Sequence, residues 1–328
     1  MKSSNIGGQA VMEGIMMRHK DKYSIAVRRP DNEIELKVED YKCVFGNAKF
    51  LKYPLIRGVV SFVDSLVVGT KCLMYSAEIA GDEEDEEDKQ KNAALSEEEL
   101  AAKKAKEDKQ FKWLLYVTVA VSIVVSVAAF MLLPYALASL CRRVGASEFA
   151  VTIVEAFVKL ALFMGYMLLI SRMKDIQRTF MYHGAEHKCI NCIEHGMDLT
   201  VENVRKSSRL HKRCGTSFLL IVMIISIFFF MFIHVDSRVL RLVLRLVLIP
   251  VIAGVSFEFI RLAGRSDNAL INLLSKPGLL LQHITTKEPE DDMIEVGIAS
   301  VEAVFDWKTY VEEIRQEDSR EHDISGSN

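Results

Sequence analysis

Residues 113–133 read WLLYVTVAVSIVVSVAAFMLL, a run of apolar and small side chains without a charged residue. A transmembrane helix needs about 20 mostly apolar residues, because each residue advances about 1.5 Å through a hydrocarbon layer of about 30 Å. Trp113 and Tyr116 stand where the helix would enter the membrane, a position that amphipathic aromatic rings favour. This run predicts a membrane-spanning helix.

Three more apolar stretches follow, at about 149–170, 216–233 and 239–260. Arg241 and Arg245 interrupt the last of them, and Pro250 predicts a kink. A single stretch could be a buried helix of a soluble protein, but four in 328 residues indicate a membrane protein. The predicted fold class is mainly α: a polytopic α-helical membrane protein with about four transmembrane helices, a small N-terminal β element and cytoplasmic amphipathic helices.

The orientation in the membrane follows from the basic residues of the loops. The loop between the second and third predicted spans carries nine of them: Arg172, Lys174, Arg178, Lys188, Arg205, Lys206, Arg209, Lys212 and Arg213. The positive-inside rule places this loop, and with it both termini, in the cytoplasm. Five of the six cysteines would then lie in a reducing compartment, so we expect no disulfide framework.

The composition argues against some classes of partner and targeting. The net charge is −3, and no long basic stretch with interleaved aromatic residues is present, so we expect no nucleic acid partner. The first residues contain no apolar segment of signal-peptide length. The lipid bilayer is the expected partner, and the internal helices are expected to direct the chain to it.

Along the chain, the pattern predicts a succession of segments. Alternation around a turn at 30–32 predicts a hairpin from strands 23–29 and 33–40, and Gln9, Val11 and Glu13 would share one face of an extended strand. The segments are an N-terminal β-hairpin element (1–50), an amphipathic helix (51–80), an acidic and charged linker (81–110), transmembrane helices 1 and 2 (111–171), a cytoplasmic loop that contains His and Cys (172–215), transmembrane helices 3 and 4 (216–262), and C-terminal cytoplasmic amphipathic helices with a tail (263–328).

Two of these segments have alternative interpretations. Residues 51–80 are apolar but broken by charges and glycines, which favours a helix on the membrane surface or against the protein over a span. The acidic run at 82–88 is either an interaction tail or a solvated linker, and the linker is favoured because this run contains nothing that could form a core.

The polar loop contains a candidate metal site. In the sequence His183-Gly184-Ala185-Glu186-His187 the spacing H-x-x-E-H places two imidazoles one turn apart on a helix, beside a carboxylate. This is the spacing of the inverted zinc-protease motif, in which both histidines bind the metal and the glutamate is the base. His211 and Cys214 would complete a tetrahedral set for Zn²⁺ or another divalent metal.

Two alternatives to that ligand set remain open. Cys189, Cys192, His211 and Cys214 have the spacing of a structural zinc knuckle, and the histidines could also be buried without any metal. At 100° per residue, Cys189 and Cys192 point away from His183 and His187, so one helix cannot direct all four to one ion. Four protein ligands would make the site structural, whereas catalysis requires that His211 or Cys214 stays off the metal.

Five stretches identify a family resemblance: Gly7-Gly8-Gln9-Ala10-Val11-Met12-Glu13-Gly14, Tyr182 to Lys188, His211 to Phe218, Pro277 to Gln282, and Thr285 to Pro289 continuing to Glu295-Val296. In these the chain resembles the YqhQ-like bacterial membrane proteins over nearly its whole length. The chain departs from the family pattern at Arg18-His19 and at Lys212. The resemblance implies a multi-pass protein of the bacterial cytoplasmic (inner) membrane, in an uncharacterised family whose domain of unknown function is labelled a predicted metal-dependent enzyme.

Two functions are therefore expected as alternatives. The first is a metal-dependent hydrolase in which Glu186 is the base and Glu13 or Arg213 orients the substrate. The second is a non-enzymatic accessory or scaffold protein for protein insertion or envelope assembly, with a membrane-protein partner and a structural histidine cluster.

Overall fold

The computed structural model describes residues 3–325 except 47, 82–96, 234, 236, 265 and 267. The chain forms two compact units, Met1–Ala80 together with Met167–Asn328, and Gly81–Tyr166. The described part is mainly helical and has one small antiparallel sheet near the N-terminus, so the predicted fold class is confirmed. The predicted acidic run at 82–88 lies outside the described residues.

The strands and helices follow in this order: β1 Gly7–Val11, β2 Gly14–His19, β3 Lys22–Arg28, β4 Ile34–Asp40, a 3-10 turn Lys49–Lys52, α1 Ile56–Ala80, α2 Glu97–Val127, a π turn Ala128–Leu132, α3 Leu133–Arg143, α4 Glu148–Ile170, α5 Lys174–Glu194, α6 Val201–Lys206, α7 Gly215–Met231, α8 Arg238–Ala263, α9 Ala269–Thr285, α10 Asp291–Glu302 and α11 Trp307–Ser325.

The four strands form a meander in the order β1-β2-β3-β4. The predicted hairpin is the β3–β4 pair, with Ile25 opposite Lys37. Strand β1 ends at Val11, and Glu13 lies in the β1–β2 turn with φ 47°, so the prediction that Glu13 continues the strand is wrong. The turn brings Gly14 so close to β3 that a Cβ there would stand 2.4 Å from the carbonyl oxygen of Ala26.

The sheet is covered on both faces, because successive side chains of a strand point to opposite sides. On one face, Val11, Ile25 and Val27 pack against Val68 and Cys72 of α1. On the other face, a larger core joins β2 and β3 to α5 and α10; it includes Ile15, Met17, Ala26, Ala185, Cys189, Met293 and Val296. This second core holds α5, and therefore His183 and His187, against the sheet.

By length and composition, four helical stretches could cross a membrane: Ile56–Ala80, Tyr116–Arg143, Glu148–Ile170 and Val243–Ala263. The last three contain most of the predicted first, second and fourth spans. The predicted third span corresponds to α7, which is apolar but has only 17 residues. That length corresponds to about 26 Å, close to the thickness of the hydrocarbon layer.

Helix α1 satisfies the length criterion, yet its packing favours the predicted amphipathic helix over a span. Its first turn contacts α8, since a Cβ on Gly58 would lie 3.0 Å from the Cα of Gly254. Its later turns bury Val68 and Cys72 against the sheet, whose strand β4 exposes charged side chains. A helix that covers such a sheet does not lie wholly in lipid, where strand edges are excluded.

In the second unit, α2, the π turn and α3 form one continuous helical stretch. Pro134 is in the first turn of α3 and has no N–H to donate to the preceding turn. A π turn directly before the proline accommodates this missing hydrogen bond. The charged tract that precedes the first predicted span is helical from Glu97 onward.

Gly184 provides a test of how α5 is held. A Cβ there would lie 2.0 Å from the carbonyl oxygen of Lys287, and the N–H of Lys287 donates to the carbonyl of Phe180 at 2.9 Å. Alanine normally stabilises a helix by about 1 kcal/mol relative to glycine, but overpacking costs about 1–3 kcal/mol. We predict that Gly184→Ala lowers the midpoint of thermal unfolding of the purified protein in detergent.

The matched control is Gly215→Ala, in the first turn of α7, where a Cβ would meet no atom within 4 Å. This variant should unfold at the wild-type temperature or slightly above it. Equal midpoints for both variants would contradict the close contact between α5 and the segment around Lys287.

Candidate metal centre

Helix α5 presents His183 and His187 on one face, with their ring centroids 4.4 Å apart. The spacing of four residues places both rings on consecutive turns, as the sequence predicts. His187 is buried, whereas the His183 side chain retains 14% exposure. The pair is therefore reached by solvent from the His183 side.

Both rings are oriented by backbone carbonyls. Nδ1 of His183 lies 2.9 Å from the carbonyl oxygen of Thr285, and Nδ1 of His187 lies 2.7 Å from that of Arg209. A carbonyl only accepts, so each Nδ1 carries a hydrogen, and Nε2 is the ring nitrogen that could bind a metal. Histidines that bind metals are held in this way, because the outer hydrogen bond fixes the tautomer and the plane of the ring.

The segment that carries Arg209 is hydrogen-bonded to side chains of α5. The Lys188 ammonium donates to the carbonyls of Arg205 at 2.9 Å and Ser207 at 2.8 Å. The Asn191 amide donates to the carbonyls of Ser208 and Leu210 at 2.6 and 3.0 Å. These contacts place the chain that follows, including Cys214, beside the two histidines.

Cys214 completes a group of three. Its Sγ lies 3.3 Å from Nε2 of His183, and one donor atom each of His183, His187 and Cys214 lies within 4.8 Å of the others. Cys214 precedes the first residue of α7 and is buried. Among the described residues, this is the one group of His, Cys, Asp and Glu side chains with the spacing of a metal site.

The three groups stabilise one another's charge. Burial opposes ionisation of the Cys214 thiol, but His183 and His187 outweigh it and hold the pKa of the thiol well below its usual value. Burial also disfavours protonation of His183, yet the Cys214 thiolate and Glu186 raise the pKa of His183 to about 9. Cys214 and His183 therefore each favour the charged form of the other.

Glu186 lies beside this group and is buried. Its Oε2 is 4.0 Å from Nε2 of His183. Strand β1 covers it, since a Cβ on Gly8 would lie 2.8 Å from Cγ of Glu186. Burial raises the pKa of Glu186, although His187, His183 and the Gly8 N–H oppose this shift.

The structure turns the fourth predicted ligand, His211, away from the group. Its ring centroid lies 5.7 Å from that of His187, and its Nε2 faces Glu194 Oε2 at 3.5 Å. Burial lowers the pKa of His211, so the ring is neutral at pH 7 and its Nε2–H points to the carboxylate. The backbone of His211 is held by Gln282, which accepts from its N–H and donates to its carbonyl, each at 2.8 Å.

The rival cysteine-rich set is not assembled in the described residues. A Cβ on Gly297 of α10 would stand 2.9 Å from the Cys189 sulfur, so this thiol faces the core. The Cys192 thiol lies 3.4 Å from the carbonyl oxygen of Asp198. Burial raises the pKa of both thiols, that of Cys192 to about 11, and both remain neutral.

The second predicted catalytic residue, Glu13, is bound elsewhere. Arg178 donates to it at 2.6 Å, and the Tyr182 hydroxyl lies 3.3 Å from its other oxygen. None of its described contacts is to His183, His187 or Cys214. Arg213, the alternative orienting residue, pairs with Glu194 and with the Ser3 hydroxyl.

Sequence reasoning missed the groups that orient the ligands. Thr285 and Arg209 contact His183 and His187 through their backbone carbonyls, and the side-chain amide of Gln282 is bonded to the backbone of His211. Contacts to the backbone leave no recognisable pattern of side chains in the sequence. Two of them, Gln282 and Thr285, lie in stretches that identify the family resemblance. The family resemblance therefore draws attention to Gln282 and Thr285 but does not indicate which hydrogen bonds they make.

Comparison with known proteins confirms the resemblance. The family described as "Protein of unknown function (DUF1385)" matches residues 53–307. The chain is 38% identical over 307 residues to a protein of Bacillus subtilis (strain 168) described as "Uncharacterized protein YqhQ", with 90% of each chain covered. No solved structure matches the chain. Neither description states a reaction or a ligand.

Glu194 provides a test of the packing behind the site. It accepts from the N–H and hydroxyl of Ser4, each at 2.7 Å, and from Arg213. Burial opposes its ionisation, but His211, Arg213 and Ser4 hold the pKa of Glu194 at about 2. Removing one partner of a buried ion pair costs about 3–5 kcal/mol, so we predict a clearly lower thermal unfolding midpoint for Glu194→Gln at pH 7.

The control is Glu202→Gln, which removes an exposed carboxylate paired with Lys206. Exposed pairs contribute about 0–1 kcal/mol, so this midpoint should stay near the wild-type value. A Glu194→Gln protein as stable as the control would show that the buried network does not hold the N-terminal segment.

Proposed function

The chain belongs to this DUF1385 family of proteins of unknown function, and we propose that it is a membrane-bound, metal-dependent hydrolase. Its ligands would be His183, His187 and Cys214, the ion would be Zn²⁺ or another divalent metal, and Glu186 would be the base.

The observation that carries the proposal is the number of ligands. Three donor atoms converge, while His211 is turned to Glu194. Structural zinc sites are closed by four protein ligands, whereas catalytic sites have three and keep one position for water or substrate. A set of three therefore favours catalysis over a structural role.

The donor set fits such an ion. Tetrahedral zinc with ordinary bond lengths separates its nitrogen and sulfur donors by about 3.4–3.6 Å. The Cys214 sulfur and Nε2 of His183 are 3.3 Å apart, and the whole group lies within 4.8 Å. The most distant pair of donors would have to approach by at most about 1.4 Å to reach that separation. Two imidazoles with a thiolate suit zinc better than a hard cation such as Mg²⁺.

The protein's residues would divide the work of hydrolysis. A divalent ion held by His183, His187 and Cys214 would supply a Lewis acid that acidifies water and polarises a carbonyl or phosphoryl oxygen. Glu186 would accept a proton from the attacking water and then donate it to the leaving group. One bond of the substrate is thereby hydrolysed at the expense of one water molecule. Burial raises the pKa of Glu186 above its ordinary value, so the carboxyl holds an accepted proton more firmly.

The membrane setting is part of the proposal. The site lies where the apolar helix α7 begins, one residue after Cys214. We place the site at the cytoplasmic face of the bacterial inner membrane, with both termini in the cytoplasm, because the polar segment that forms it carries most of the loop Lys and Arg residues. Substrates that reach the bilayer surface are then within range.

Metal content tests the ligand set. We predict about one zinc per wild-type chain after purification without chelator, and its loss in His183→Ala and in Cys214→Ser, because two remaining ligands bind weakly. His211→Gln should retain the metal. His195→Ala is the matched control, since His195 is exposed and its Nδ1 contacts its own helix at the Asn191 carbonyl, 2.7 Å away.

Elemental analysis of the five proteins decides the matter. Metal retained by both His183→Ala and Cys214→Ser would refute the site. Loss in His211→Gln with equal loss in His183→Ala would indicate a closed four-ligand centre, which contradicts the catalytic proposal.

A second experiment separates hydrolysis from a scaffold role. We predict that Glu186→Gln keeps its zinc and its unfolding midpoint but cleaves chromogenic ester, phosphodiester or peptide substrates at least about 100-fold more slowly than wild type, the usual loss for a general base. An equal rate of cleavage by both proteins would contradict the role of Glu186 as base. So would a second pattern, in which neither protein cleaves any substrate and Glu186→Gln fully complements a deletion strain. That second pattern supports the accessory or scaffold function.

A further inference from the structure

A separate cavity of about 340 Å³ lies between the segment before α1 and the end of α8. Residues that line it include Tyr41, Arg57, Ser61, Asp64, Phe257 and Arg261. None of these residues belongs to the metal centre. The cavity therefore needs an explanation of its own.

The charges around this cavity favour an anion. Asp64 accepts from the Tyr41 hydroxyl at 2.5 Å and from the Val44 N–H at 2.9 Å, so both its oxygens are bonded. Glu258 accepts from Nε of Arg57 at 2.6 Å and from a second nitrogen of the same guanidinium.

A third guanidinium joins the two that line the cavity. Arg18 stacks over the ring of Tyr41, with its Cζ 3.3 Å from the ring centroid. The surroundings thus hold three guanidinium groups, of Arg18, Arg57 and Arg261, against the two carboxylates of Asp64 and Glu258, which leaves an excess of one positive charge. An anion entering the cavity meets net positive charge.

The cavity lies near the C-terminal end of a helix that is long and apolar enough to cross a bilayer. Glu258, the partner of Arg57, is five residues before the end of the apolar helix α8 at Ala263, which corresponds to about 8 Å along the axis. The polar layer on each side of the hydrocarbon is about 5–8 Å thick. If this helix spans the bilayer and the span ends at Ala263, Arg57 and Arg261 lie near the boundary between the hydrocarbon and the headgroup layer.

The segment beside the cavity has the composition of an interfacial anchor. Phe45, Phe50 and Tyr53 are 49%, 57% and 63% exposed, and Lys49 is exposed among them. Aromatic rings and basic side chains together are typical of segments that lie in the headgroup region of an anionic membrane.

A strained residue fixes this segment against α8. Leu55 has φ 69°, which is rare for a branched apolar side chain, and a Cβ on Gly254 would lie 2.7 Å from its carbonyl oxygen. Such strain persists only where the surrounding contacts hold it. The start of α1, which carries Arg57, is thus held against α8.

From the cavity, its guanidinium groups and its exposed aromatic rim, we propose that it binds the phosphodiester headgroup of an anionic phospholipid of the cytoplasmic leaflet. Guanidinium groups recognise phosphate through paired N–H donors, and basic pockets beside membrane helices are suited to anionic headgroups. The proposal is independent of the metal centre, because the two sites share no residue.

Native mass spectrometry of the full chain tests it. The protein, in detergent with equimolar phosphatidylglycerol and phosphatidylcholine, should retain about one phosphatidylglycerol per chain, at least fivefold over phosphatidylcholine. Arg261→Gln and, separately, Ser61→Asp should each reduce this retention at least fivefold. Lys206→Gln, which removes an exposed charge on α6, should leave it unchanged.

Unchanged retention in both cavity variants, or equal retention of the two lipids, would overturn the proposal. Two variants are used so that a folding defect in one leaves the other decisive. A variant counts only if its thermal unfolding midpoint equals that of wild type. Inorganic phosphate distinguishes the source of the anion. If millimolar phosphate displaces the lipid from wild type, the cavity serves a soluble anion, and the lipid assignment fails.

Discussion

Two hydrogen bonds from ring nitrogens to backbone carbonyls are the constraint on which the candidate site depends. They tie α5 to the end of α9 through Thr285 and to the segment before α7 through Arg209. Each bond fixes a tautomer, and together they leave both Nε2 atoms directed to the same region. Without them, two histidines on one helix would be only a polar stripe.

The same tie couples the site to the membrane helices. Helix α9 contacts α7 closely, since a Cβ on Gly278 would lie 2.8 Å from the Ser217 side chain. The amide of Gln282 links that helix to both Ser217 and the backbone of His211. A change in the packing of α7 and α9 therefore reaches the carbonyl of Thr285 and the position of Cys214 through a few direct contacts.

A soluble-type core and membrane-type helices meet in one unit of this chain. The small sheet is covered by α1 on one face and by α5 and α10 on the other, so it needs no lipid contact to bury its side chains. Helix α1 joins the two environments, because its first turn packs on α8 and its later turns on the sheet. This arrangement brings the candidate metal centre and the cavity beside α8 into one unit with the helices that could anchor it.

The sequence by itself determined the apolar helices, the β3–β4 hairpin and the pairing of His183 with His187, because period and spacing are local properties. It also identified Cys214 and Glu186, which the structure places within a few ångströms of that pair. It did not determine the ligand number. His211 and Cys214 follow the His183–His187 pair at similar distances along the sequence. Only the tertiary contacts with Glu194 and Gln282 turn His211 away from that pair.

Tertiary structure alone also decided which surfaces α1 packs against and where Glu13 lies. Apolar composition does not distinguish a helix that faces lipid from one that faces a sheet, since both surroundings remove side chains from water. Glu13 is far from the two histidines in the sequence. Its position in a turn with positive φ directs its carboxylate to Arg178. Long-range packing sets such choices, because they depend on which surfaces meet and not on the spacing within any one segment.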